Sequence, residues 1–136
     1  MNYKRAVSFA LVLYAIFLSL GMATQAVNGT FVMGLKQYIF WWIVSIPIVL
    51  VLAKWYFKLD APTTKKGFML GIIALVVGAI LDLLVIGISA PRVGMTFSEM
   101  YKIFYTDWRF YVGVIEILAL CTFAGFEFDA TYTKKA

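Results

Sequence analysis

GFMLGIIALVVGAILDLLVIGISA, residues 67–90, is 24 residues long and carries one charge, Asp82. A helix crossing the roughly 30 Å hydrocarbon layer needs about 20 mostly apolar residues. Lipid offers no hydrogen bonds, so the backbone must satisfy itself, and a helix does so within one segment. This stretch is therefore read as a transmembrane helix.

The same test applied outward finds three more spans. They run over 6–27, 39–57 and 109–126, and 67–90 is the third in order. Composition agrees: 63% of the 136 residues are hydrophobic, 14% are charged, and mean hydropathy is +0.90. A soluble domain carries about 25% charged residues, and one of this size could not hide so much apolar surface. The expected fold is all-α, an integral membrane four-helix bundle forming one domain over residues 1–136, multi-pass in the cell membrane. Short links between spans one and two, and between two and three, predict antiparallel and adjacent neighbours.

Lysine and arginine orient the bundle. Lys4, Arg5, Lys54, Lys58, Lys65, Lys66, Lys134 and Lys135 fall on one side, and Lys36, Arg92, Lys102 and Arg109 on the other. The richer side is expected to be cytoplasmic, with both termini there. Tyr38, Trp41 and Trp42 bracket the outer side and Trp55 and Tyr56 the inner, as interface anchors do. The apolar run after MNYKR is longer than the core of a signal peptide, so it is read as an uncleaved first span. The net charge of +5 is spread over loops, with no basic face for nucleic acid.

The longest connection, APRVGMTFSEMYKIFYTDW (90–108), contains Thr96 followed by Glu99, a capping-box pattern. Phe97, Tyr101, Phe104 and Trp108 recur at helical spacing. A short amphipathic helix on the outer surface is expected between spans three and four, either as an interfacial element or as a lid over the bundle. Asp107 is placed to cap span four, and Pro47 to kink span two. Asn28 begins an NGT sequon, which matters only in a eukaryotic source.

On a helical wheel Gly71, Gly78, Asp82 and Ser89 share a stripe of span three. Tyr14, Gly21, Gln25 and Asn28 share one on span one, and Arg109, Gly113 and Glu116 one on span four. Small residues let helices approach closely, so Asp82 is expected on a packed face. At 1.5 Å per residue, Asp82 and Glu116 both lie roughly 11 Å below the outer boundary. A charge at mid-bilayer costs about 2.5–3.5 kcal/mol on insertion scales, and two carboxylates at one depth repel. Protonation, a bridging cation or arginine would relieve them. Asp82, Glu116, Arg109, Gln25 and Asn28 are thus the candidate site, for an ion, a proton or a structural cluster.

The segments LGIIALVVGAILDLLV (70–85) and MTFSEMYKIFYTDWRFYVGVIEI (95–117) resemble a group of small four-span prokaryotic membrane proteins of unknown function. The resemblance covers roughly residues 69–117. It implies a paired Asp82–Arg109 element, does not include Glu116, and implies no activity.

Three function classes follow. One is an oligomeric cation- or proton-linked transporter or channel using the buried carboxylates. The second is a non-catalytic accessory or assembly subunit of a membrane complex, with Asp82–Arg109 as a structural ion pair. Its partners are the bilayer and either further copies or another membrane subunit. The third, an enzyme, lacks any nucleophile–base, phosphate-loop or metal constellation, so no catalytic residue, metal site or cofactor is expected. The chain has no histidine, and its one cysteine, Cys121, is read as a small packing residue.

Overall fold

The computed structural model describes residues 3–28, 35–58 and 62–133, and the side chains of 24–28 and 128–133 are outside that description. Five α-helices follow one another: α1 (Tyr3–Asn28), α2 (Leu35–Tyr56), α3 (Thr64–Ser89), α4 (Phe97–Tyr105) and α5 (Trp108–Thr133). A 3-10 turn, Pro91–Val93, separates α3 from α4. Four of these helices, α1, α2, α3 and α5, are long and apolar enough to cross a membrane. The all-helical bundle with a short fifth helix before the last span is as expected.

Local chemistry sets the boundaries. Thr63 starts α3, its Oγ1 accepting from the Lys66 N–H at 3.1 Å. Thr96 starts α4, its Oγ1 accepting from the Glu99 N–H at 3.2 Å. Each takes one of the amides that a helix start leaves unpaired. Gly94 closes the 3-10 turn at φ 73°, where a Cβ would be strained. α2 runs through Pro47 as one helix. α4 ends at Tyr105, so Trp108 belongs to α5 rather than to the aromatic face of α4.

The four spans form a ring in the order α1, α2, α5, α3. α3 and α5 make the most intimate pair. A Cβ built on Gly67 would collide with the Cys121 carbonyl, and one on Gly125 with the Thr63 carbonyl. At Gly71 a Cβ would sit 2.9 Å from a Leu118 methyl and 3.2 Å from the Leu118 Cα. Close backbone approach replaces the hydrophobic drive that lipid does not supply. Gly71 does lie on the packed stripe read from the sequence; Gly67 extends it one turn further, and Gly125 of α5 faces Gly67.

One expectation is corrected. α2 and α3 are joined by a short link yet stand across the diagonal of the ring. The small residues of α3 seek those of α5, which takes the adjacent place. Seven residues separate Tyr56 from Thr64. Extended, they reach roughly 23 Å, whereas the diagonal of a ring spaced at 8–10 Å is about 13 Å. The link is therefore long enough to cross.

The main core lies in the lysine-rich half. Phe9 and Leu13 of α1, Val49 and Tyr56 of α2, Leu70 of α3 and Cys121 of α5 are buried there. Arg5 fastens the same end: it donates from Nε to the Tyr56 carbonyl at 3.3 Å and from Nη2 to that of Trp55. Its guanidinium also lies 3.8 Å from the centre of the Trp55 ring. Those carbonyls close α2, where a cation opposes the helix dipole. A second cluster at the far end packs Met100 of α4 over Ile86 and Ala90. The outward face of α3 shows Val76, Ile80, Leu84 and Ile88, each more than half exposed. In water such a face would be an aggregation surface; in lipid it is solvated.

Candidate functional site

Asp82 sits in the last third of α3, half-buried and turned toward α1 and α4. Its two oxygens have separate partners. The Tyr14 hydroxyl of α1 donates to Oδ1 at 2.7 Å, and the Tyr105 hydroxyl of α4 donates to Oδ2 at 2.6 Å. Both distances are those of well-formed O–H···O hydrogen bonds. Gly78, one turn before Asp82, has the Tyr14 ring as its nearest neighbour, 3.9 Å from a built Cβ. That opening lets the phenol reach the carboxylate. Tyr105 belongs to a run of rings on α4 that begins Phe97–Tyr101, with Tyr101 and Tyr105 stacked at 4.6 Å between centroids. Its backbone carbonyl accepts from the Tyr111 hydroxyl at 2.7 Å. Burial first, and then donation to Asp82, push the Tyr105 hydroxyl well above the usual phenol pKa.

Glu116 is placed elsewhere. From α5 it meets the buried Ser45 of α2, whose hydroxyl lies within hydrogen-bond reach of Glu116 Oε1 and, at 2.9 Å, of the Trp42 carbonyl, its single hydrogen serving one of the two at a time. The Trp42 indole lies near Gly113, one turn before Glu116. The buried indole N–H groups of Trp41 and Trp42 have no hydrogen-bond partner among the described residues. Asp82 and Glu116, expected to lie together, share no partner: one ties α3 to α1 and α4, the other ties α5 to α2.

Arg109 is the clear departure. It pairs with Asp107 rather than Asp82, donating from Nε to Oδ1 at 2.9 Å and from Nη2 to Oδ2 at 2.6 Å. Asp107 Oδ1 also accepts the Arg109 backbone N–H at 3.0 Å, so Asp107 caps α5 as expected. These bonds from Arg109 hold the Asp107 carboxyl below its ordinary pKa near 3.8. The guanidinium lies over the Tyr38 ring at 4.8 Å, which joins the start of α5 to α2. An aspartate two residues away, already fixed by the cap, outcompetes one on another helix. The implied Asp82–Arg109 pair is absent among the described residues. Gln25 and Asn28 close α1, and their side chains fall outside the description.

Tyr14 lies on the polar stripe of span one and Ser45 in the middle of span two, neither with a partner that the sequence assigns, and Tyr105 stands beside the aromatic stripe rather than on it. The available signal was a phenol inside an apolar segment, because a buried Tyr hydroxyl needs a partner. Two shallow apolar grooves mark the surface, and neither includes Asp82, Glu116 or Arg109. Among the described residues no three acid or thiol side chains converge as metal ligands would.

No protein-family model, curated protein or solved structure matches the chain.

Proposed function

We propose that this chain is a non-enzymatic accessory or assembly subunit of a membrane complex, its intramembrane acids serving as clamps between helices. One observation carries the reading: Asp82 is held on both oxygens by hydroxyls from two other helices. Glu116 is likewise engaged by Ser45 across a helix boundary. A transport site must release and rebind its ion, whereas a carboxylate held by donors on neighbouring elements is suited to fixing them. Neither acid lines either of the two grooves described above. The clamp replaces the Asp82–Arg109 pair as the element that joins helices.

A second reading, an oligomeric cation- or proton-linked transporter, draws on a different observation. Tyr105 comes from α4, which is not a span. A displacement of α4 would uncover Asp82 from that end.

Reconstitution into liposomes separates the two. The clamp reading expects no proton or monovalent-cation flux above that of protein-free vesicles. It also expects Asp82→Leu to lower the melting temperature of the purified chain. Flux that vanishes in Asp82→Asn while the helical melt is unchanged would establish the transporter and end the clamp reading.

A further inference from the structure

One of the two grooves runs along the seam between α3 and α5. Thr64 and Phe68 form one wall, and Ile115, Ala119, Phe123 and Phe126 belong to the other. From Ile115 to Phe126 the helix rises roughly 16 Å, about half the hydrocarbon layer. A transmembrane partner helix would need a seam twice as long, whereas one acyl tail in one leaflet has this length. Thr64, at the polar end, is followed by the exposed Lys65 and by Lys66. Lys4, Lys54 and Lys58 stand at the same end of the bundle, since α1 and α3 begin there and α2 ends there. The other groove lies on α1 alone, from Val12 to Leu20, with no cation at its edge.

We propose that the α3–α5 seam binds one anionic phospholipid, a tail lying against Phe68, Ala119 and Phe123 and the phosphate at Lys65. Of the two grooves described, this one combines apolar length with a cationic end, and that coincidence separates a lipid site from ordinary lipid contact. A lysine near an anionic headgroup strengthens binding roughly fivefold. The inference requires a membrane protein and is independent of whether the acids are clamps.

The test is native mass spectrometry of the full chain in detergent, titrated with phosphatidylglycerol and with phosphatidylcholine of identical tails. The wild type is expected to retain a single phosphatidylglycerol under activation that strips phosphatidylcholine. Lys65→Gln should weaken phosphatidylglycerol roughly fivefold and leave phosphatidylcholine unchanged. Ala119→Trp fills the seam from an exposed position and should remove the retained lipid, with an unchanged circular-dichroism melt. Lys102→Gln, at the opposite end, should change nothing. Equal retention of both lipids, or a preference that survives Lys65→Gln, overturns the site. So does a dimer that Ala119→Trp dissolves, which would give the seam to a second copy.

Discussion

A carboxylate with two phenol donors responds to substitution differently from one in an ion pair. Asp82→Asn keeps a similar shape and one good acceptor, so we expect a loss of about 1 kcal/mol. Asp82→Leu strands the Tyr14 and Tyr105 hydroxyls, at about 1–3 kcal/mol for each unpaired group. Tyr105→Phe should cost about 1 kcal/mol, near the range measured for hydrogen bonds inside membrane bundles. Reversible unfolding of each variant in mixed micelles gives the order, and a larger effect of Asn than of Leu would refute the clamp. Asp107 supplies a pH test. Its folded pKa is lowered, so its contribution is present above about 3.8 and is lost as pH falls through the lower folded value. Asp107→Ala, which removes the cap, should cost about 1 kcal/mol at pH 7 and nothing further under acid. Hydrogen exchange at the start of α5 reads this directly. Asp82 itself was visible as a lone charge in an apolar run. Its donors were not, because Tyr14 and Tyr105 lie 68 and 23 residues away in the chain and a tyrosine in a membrane protein reads first as an interface anchor.

At the scale of helices, the α3–α5 seam decides stability. Gly67→Leu or Gly125→Leu forces backbones apart that now touch, and we expect loss of the folded bundle rather than a graded shift. Gly87 is the control, since nothing lies within 4 Å of a Cβ built there. Gly87→Ala should be neutral or stabilising by up to about 1 kcal/mol, through helix propensity alone. Thermal melts followed by circular dichroism distinguish these outcomes; equal tolerance at Gly87 and Gly67 would show that the seam is not close-packed. The spans and the α4 start could be read from the sequence, because hydrophobic length and the Thr96–Glu99 pattern are local signals. The pairing α3–α5 could be read only in part. Gly71 and Gly78 marked a packed face, but Gly67 and Gly125 fall at the ends of the spans read from sequence, 67–90 and 109–126, where glycine also serves to stop a helix.

The molecule as a whole has two unlike halves. The lysine-rich half holds the main apolar core, and toward the opposite end lie Asp82, Ser45–Glu116 and Arg109–Asp107, with Asp82 bonded to α4 through Tyr105. Composition foretold this division, since the intramembrane polar residues lie toward one end of the spans. It did not foretell the ring order, because a loop's length limits where the next helix can go without selecting among the places within reach. We expect α4 to be the least stable element, since it is short and joins the bundle through Met100 and Tyr105. Pulsed hydrogen exchange should find its amides opening before those of any span, and Tyr105→Phe should speed that opening without affecting α3.

The diagonal placement of α2 and α3 bears on how the chain is made. As α3 leaves the ribosome, its glycine face has no mate, because α5 is synthesised only after α4. The nascent protein must hold a half-assembled triangle of helices until that segment arrives. Ribosome-tethered chains ending before Trp108 are therefore expected to be cleared by membrane proteases, and full-length chains spared. Equal lifetimes would mean that the first three helices are already self-sufficient.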